Sequence, residues 1–338
     1  MARRLPPELL RNYSKRLAMN YRPLGSTTMQ VSEIAMGCWP IAGMSSPHVR
    51  EDESLATLKA CLDLGINHFD TAYMYGRHGE SERLIAQAVG RRRDQAVIAT
   101  KCGLHCGATA YQIHDARPET LRKECEESLQ RLNTDRVELL YLHAPDPNVP
   151  VAESAAALRK LMEEGKTRSV GASNLSVAQL DQFAVACPLT AFQPPYNMLQ
   201  RQIEADTLPW CREREVAVLV YWPLMKGLLA GKLCREDTFA NDSRRKYPMF
   251  QGEEYRKNLD FVDVLRSIAA MSGHTVAQLV VNWTIHQPGV TSALCGAKRP
   301  EQLRDTAQAA HWHMSPEQTD RIEKALADRG IPLTRVPV

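Results

Sequence analysis

Short apolar runs alternate with amphipathic stretches along almost the whole chain. Eight runs read as strands: "EIAMGCW", "NHFDT", "AVIATKC", "ELLYLH", "RSVGAS", "TAFQPP", "AVLVYW" and "SALCGA". Between them, apolar residues recur at three- and four-residue spacing, as over Ser54 to Leu64, Glu119 to Leu132 and Ala152 to Glu163, which predicts helices. The stretch "ARPETLRKECEESLQRL" also has a proline early and an acidic residue in its first turn, as a helix start should. Repeated strand–helix units imply a parallel sheet covered by helices. Eight of them in 338 residues, with no linker between, predict an α/β fold: a single closed (β/α)8 TIM barrel. The competing fold is a doubly wound open sheet. With a dinucleotide it would want G-x-G-x-x-G at the first strand–helix turn, and "MGCWPIAGMS" does not supply it.

Three segments depart from the repeat. "YRPLGSTTMQVS" reads as a hairpin ahead of the first barrel strand, closing the barrel floor. The span 226–258 is too long for a simple connection and reads as a polar loop, either functional or disordered. Residues 1–20, "MARRLPPELLRNYSKRLAMN", read as a basic extension without the apolar core of a secretory signal, leaving 21–338 as the barrel with its C-terminal helix.

Composition narrows the function classes. Apolar content of 44% and charged content of 24% are those of an ordinary globular chain, and a formal charge of +3 gives no nucleic-acid footprint. No apolar run approaches the roughly 18 residues of a spanning helix, so no membrane partner is expected. The nine cysteines are scattered, several inside strand-like runs, which suits reduced thiols in a cytoplasmic protein. Cys102, His105 and Cys106 form one cluster without a second ligand pair at zinc spacing, so no metal is expected.

In a barrel of this type the active site lies at the C-terminal ends of the strands. Asp70 ends the second strand, Tyr75 follows in the loop, Lys101 ends the third and His143 the fourth. Singly, each has an ordinary structural explanation: a turn, a snorkelling lysine, a satisfied histidine. Together they make a proton-transfer group. A tyrosine titrates near ~10 and is a poor acid at neutral pH; a cation beside it favours the ionised form. Lys101 could supply that cation with Asp70 holding it, while His143 hydrogen-bonds a carbonyl oxygen that is becoming an alkoxide. Hydride must come from elsewhere, which implies a nicotinamide.

These residues, with "NHFDTAYMYG", "ATKCG", "YLHAPDP", "GKTRSVGASNL", "FQPPYNML", "YWPLMKGLLAGK" and "GAKRPEQLRD" in that order, resemble the aldo-keto reductases from about Tyr21 to Leu326. The branch resembled includes the potassium-channel β subunits and bacterial relatives. The resemblance implies a barrel that binds NADPH, less often NADH, with Tyr75 as general acid, Asp70 and Lys101 tuning it and His143 orienting the substrate. It implies that Ser173, Asn174 and Gln193 hydrogen-bond the nicotinamide carboxamide and that Tyr221 stacks on the ring. The segment containing Trp222, Pro223, Leu224, Gly227, Leu228 and Lys232 would run along the pyrophosphate. Gly296, Lys298, Gln302 and Asp305 match the adenosine site, and Arg299 joins Lys298 where the family binds the 2′-phosphate. Trp222 stands where the family has a small serine, Thr306 where it has asparagine, and Asp305 is a methylene shorter than the usual glutamate.

The activity so implied is reduction of aldehydes, ketones or sugar-like carbonyl compounds. Two alternatives use the same residues: a slowly turning redox-sensing partner of the channel-subunit type, and an NAD-dependent sugar or alcohol dehydrogenase. A homo-oligomer is left open. Loops 104–117 and 226–258 and the tail after Arg329 would set specificity, with Trp39, Tyr111, His114 and Phe250 as candidate aromatic lining.

Overall fold

Eight parallel strands close into a barrel in the computed structural model, which describes residues 19–43, 49–107, 112–240 and 242–334. The basic extension up to residue 18, and Tyr111 in the first specificity loop, lie outside the described residues. A hairpin comes first, β1 (Tyr21–Pro23) and β2 (Gln30–Ser32), paired antiparallel. The chain then runs through β3 (Ile34–Gly37), α1 (Glu51–Asp63), β4 (His68–Asp70), α2 (Glu80–Val89) and β5 (Val97–Cys102). A two-stranded hairpin follows, β6 (Leu104–His105) with β7 (Ile113–His114), then α3 (Pro118–Leu132) and β8 (Leu139–Leu142). After these come α4 (Val151–Glu163), β9 (Val170–Ser173), α5 (Val177–Ala186), β10 (Ala191–Gln193), α6 (Thr207–Glu213) and β11 (Ala217–Val220). The last elements are α7 (Gly252–Met271), α8 (Val276–Ile285), β12 (Ser292–Gly296), α9 (Pro300–Ala307) and α10 (Pro316–Arg329). Around the barrel the order is β3, β4, β5, β8, β9, β10, β11, β12 and back to β3. All eight predicted strands are in it, and the three predicted helices appear as α1, α3 and α4.

The strands are almost wholly buried because both faces are covered, which is why they read as continuous apolar runs rather than alternating ones. Their outward side chains meet the helices in the main core; their inward ones fill the barrel. The inner set alternates small with large: Ala35, Ala99, Ala191 and Ala217 leave room for Leu139, Tyr141, Leu219 and Leu294. Leu24 and Val31 from the β1–β2 hairpin belong to this inner cluster, so the hairpin plugs the floor. Polar ties fix the plug: Asn67 Nδ2 donates to the Gln30 carbonyl at 2.8 Å, and its Oδ1 accepts from the Ser32 N–H at 2.9 Å. Helix starts follow local chemistry, with reciprocal Ser/Thr–Gln caps at Ser176, Thr275 and Ser315 and proline opening α3, α9 and α10.

The span 226–258 differs from its reading as a polar loop. Its end is the first turns of α7, and 3-10 turns at Ser243–Lys246 and Pro248–Phe250 precede it. Phe239, Met249, Phe250 and Tyr255 are buried, with Phe239 edge-on to Phe250 at 5.1 Å and to Tyr255 at 5.5 Å between ring centroids. The aromatic anchors are irregularly spaced, so they leave no periodic signal in the sequence.

Tyr141 can occupy the barrel interior only because Gly171 faces it on the neighbouring strand. A Cβ at Gly171 would fall 2.5 Å from the Tyr141 ring and 2.9 Å from the Ala191 carbonyl oxygen, one a packed core ring and the other backbone. Gly171→Ala is therefore expected to lower unfolding stability by about 1–3 kcal/mol through overpacking. The denaturant midpoint of the variant measures this; an unchanged midpoint would show that the interior has slack.

Candidate active site

Strand ends on one rim bring the predicted residues together. Asp70 closes β4, Lys101 lies in β5, and His143 follows β8. Lys101 Nζ donates to Asp70 Oδ1 at 2.6 Å, to the Thr71 carbonyl at 2.8 Å and to Tyr75 Oη at 3.4 Å. The ion pair is buried, with side-chain exposures of 0% and 4%, so neither charge is solvated and each depends on the other. Burial pulls the Lys101 ammonium below its ordinary range and pushes the Asp70 carboxyl up, and their contact opposes both shifts. Gln193, from the end of β10, donates Nε2 to Asp70 Oδ2 at 2.7 Å. Both carboxylate oxygens are thus occupied.

Tyr75 is half-buried. Its ring is edge-on to Trp39 at 4.9 Å and to His143 at 6.0 Å between centroids. Its phenol is raised well above its ordinary value, by burial first and then by Asp70 and Cys38. The direction is opposite to the lowering expected from Lys101: burial and the nearby carboxylate raise the phenol, and the proton stays on oxygen at neutral pH. His143 is driven well below its usual range by burial, then by Lys101 and His114, so it is a neutral imidazole; its Nδ1 is buried with no hydrogen-bond partner among the described residues. A neutral ring can both donate and accept.

The residues expected around a nicotinamide form a connected chain on the same rim. Asn174 Nδ2 donates to the His143 carbonyl at 2.9 Å, and its Oδ1 accepts from Tyr221 Oη at 2.9 Å. Ser173 Oγ donates to the Gln193 carbonyl at 2.7 Å. Beyond Tyr221 the backbone is contorted: Trp222, Met225 and Lys226 have φ of 61°, 44° and 55°, a conformation rare for bulky residues. Trp222 turns its ring edge-on to Tyr221 and Tyr247, and the Lys226 ammonium lies 5.3 Å and 4.9 Å from the Trp222 and Tyr247 centroids. Pro223 is buried and Leu224 partly so, while Gly227 is open, with nothing within 4 Å of where a Cβ would stand. Leu228 is wholly buried in the core, so its side chain is not available at the rim, and Lys232 is exposed.

At the far end, Gly296 ends β12, with Lys298 half-buried and Arg299 exposed at the start of α9. The Lys298 ammonium is pulled below its ordinary value by burial, then by Arg244 and Arg299, with Asp242 opposing. Arg244, from the long connection, is one of the charges acting on Lys298 and is itself paired with Asp242 at 2.7 Å, whereas Arg245 and Lys246 are exposed. Two expected adenosine contacts are partly committed elsewhere. Gln302 Oε1 accepts from the Lys298 N–H at 2.8 Å, capping the turn, and Asp305 Oδ1 accepts from Thr275 Oγ1 at 3.1 Å and Gln278 Nε2 at 2.7 Å on α8. The shorter carboxylate fits that helix contact. In the "KCGLHCG" stretch, Cys102 is buried in β5, His105 Nδ1 meets Glu124 Oε1 at 2.8 Å, and Cys106 Sγ meets the Met74 carbonyl at 3.8 Å. Sequence reasoning did not place Trp39 against Tyr75 or Gln193 against Asp70; both are contacts between distant strand ends that no local spacing reports.

A family model described as the aldo/keto reductase family matches residues 33–327, so the chain belongs to that family and is an oxidoreductase. It is 36% identical over 312 residues to the aldo-keto reductase YhdN of Bacillus subtilis, covering 91% of this chain and 94% of that one. It is 32% identical over 308 residues to the NADH-specific methylglyoxal reductase of Escherichia coli, covering 87% and 94%. Among solved structures, the glycerol dehydrogenase AKR11B4 from Gluconobacter oxydans superposes with a TM-score of 0.84 at 35% identity, covering 93% of this chain and 96% of that one. Among the described residues no single helix is long and apolar enough to cross a membrane.

Lys101→Met removes one partner of a buried pair and leaves Asp70 without its cation. We expect a loss of about 3 kcal/mol or more in unfolding free energy. Chemical denaturation measures it, with Asp70→Asn/Lys101→Met as the paired control. A single variant as stable as the parent would mean that the pair contributes nothing to the fold.

Proposed function

We propose that this chain reduces the carbonyl group of small aldehydes, ketones or sugar-like compounds with NADPH, and that Tyr75 is the proton donor. The observation that carries the reading is a phenol oxygen 3.4 Å from a buried ammonium, with the His143 ring edge-on to the same tyrosine at 6.0 Å. The residues fit the cofactor by the chemistry of the donor set. Ser173, Asn174, Gln193 and Tyr221 would hold and orient the nicotinamide end. Gly227 would lie along the diphosphate path, and the charges of Lys298, Arg299 and Arg244 would suit a phosphate. When bound, the nicotinamide supplies hydride chemistry.

The protein's share is to place the carbonyl and manage one proton. His143 would donate a hydrogen bond to the carbonyl oxygen beside Tyr75 Oη, fixing the substrate's orientation. As negative charge builds on that oxygen, the Tyr75 proton passes to it and the phenolate left behind is met by Lys101. Asp70, held by Gln193, keeps the ammonium aimed. The same groups serve alcohol oxidation with proton flow reversed, a direction favoured by the likeness to a protein named glycerol dehydrogenase.

Tyr75→Phe should bind cofactor as the parent does and lose roughly 10²–10⁴-fold in kcat where proton transfer limits. Steady-state kinetics with a panel of carbonyl compounds checks it; near-parental kcat across the panel would remove Tyr75 from the role.

Cofactor choice is a separate matter, because a relative is named NADH-specific. One or two charge-assisted contacts to a 2′-phosphate should make NADPH bind about 10- to 100-fold more tightly than NADH. Fluorescence titration of both, with the parent and a Lys298→Ala/Arg299→Ala variant, reads this. Equal affinities in the parent, or an undiminished preference in the variant, would place the phosphate contact elsewhere and favour NADH.

A further inference from the structure

The loop that carries Tyr75 is held on both sides of the phenol by one side chain from a neighbouring helix. Arg131, in the last turn of α3, donates Nη1 to the Tyr73 carbonyl at 3.2 Å and lies 3.3 Å from Glu82 Oε2 in α2. Its guanidinium carbon stands 4.2 Å from the centre of the Tyr73 ring. Gly79 lies against the same group: a Cβ there would come 2.3 Å from Arg131 Cδ and 2.9 Å from Cζ. The surroundings are rigid. Glu82 is fully buried and accepts from Thr100 Oγ1 at 2.7 Å, and Tyr73 Oη donates to Glu127 Oε2 at 2.7 Å. Arg131 Nη2 is itself 3.5 Å from that Glu127 oxygen. By contrast, among the described residues the Tyr75 phenol makes one long hydrogen bond, to Lys101 at 3.4 Å.

We propose that Arg131 is a positioning residue for the reaction: by clamping Tyr73 and Gly79 on either side of Tyr75, it sets where the phenol oxygen stands relative to Lys101 and the substrate. The planar fork is needed, because it hydrogen-bonds a carbonyl, pairs with Glu82 and lies over a ring at once; a lysine ammonium can pair with Glu82 but cannot do all three. This inference rests on Tyr75 as proton donor.

Arg131→Lys keeps a cation beside buried Glu82, so the fold is retained while the clamp is lost. The expected result is a kcat lower by about tenfold to a hundredfold, the scale of an ångström-sized misplacement, with NADPH affinity and KM little changed. The discriminating measurement repeats the change in a Tyr75→Phe background, where residual turnover should not fall further, because there is no phenol left to position. Tyr73→Leu, which removes the ring beneath the guanidinium, supplies an independent route to the same non-additive loss and stands in if Arg131→Lys is poorly folded. Equal losses in both backgrounds, a loss confined to KM, or no loss at all would overturn the proposal. The two readings fail differently: a fully active Tyr75→Phe variant sinks the role of Tyr75, whereas an inactive one beside an unaffected Arg131→Lys sinks only the clamp.

Discussion

The buried contact between Lys101 and Asp70 is the constraint on which the rest of the rim depends. Two charges with 0% and 4% side-chain exposure are tolerable only if each finds the other and every remaining lone pair or proton is met. The ammonium is met by Asp70, the Thr71 carbonyl and Tyr75, and the carboxylate by Lys101 and Gln193. Gln193 comes from β10, across the barrel from β4, so closure of the sheet is what completes the shell of Asp70. An open sheet with the same strands would leave that carboxylate half-satisfied.

That closure needs an interior of fitted volumes. Small inward residues make space for Tyr141, whose ring lies 6.0 Å from Lys101 Nζ and forms part of the floor under the ion pair. Gly171 supplies the space beside that ring, and the β1–β2 hairpin seals the end remote from the chemistry. Packing at one end and polar groups at the other follow the usual division of labour in this architecture. A floor of buried side chains strengthens the electrostatics of the pair above it by lowering the local dielectric.

The rim then divides by charge. At the Tyr75 end the groups are kept neutral or paired: burial raises the phenol, lowers the imidazole and forces lysine onto aspartate. At the Lys298 end positive charge gathers: Arg244 and Arg299 repel the Lys298 ammonium, and Asp242, itself paired with Arg244 at 2.7 Å, opposes them. A phosphate would relieve that repulsion, as a carbonyl would use the proton. The long connection belongs to this design, because its aromatic anchors hold Arg244 near Lys298; Arg244 stands 4.6 Å from the Phe239 centroid.

The sequence by itself determined the eight strands, the helices between them and the rim on which Asp70, Tyr75, Lys101 and His143 emerge. These follow from local chemistry: apolar runs that must be covered on both faces, proline and Ser/Thr–Gln helix starts, and polar residues at strand ends. Even the floor hairpin was legible from its turn residues. What only the tertiary structure decided involves residues far apart in the chain. Gln193 on Asp70, Trp39 on Tyr75, Asp305 on α8 and Arg131 on the Tyr75 loop are contacts between elements whose spacing along the chain carries no period. The direction of the Tyr75 shift belongs here too. A cation in the sequence suggested a lowered phenol, but burial and a neighbouring carboxylate are properties of the folded environment, and they win. The long connection departs from a polar loop for the same reason, since its aromatic side chains find one another only after the backbone has turned back on itself.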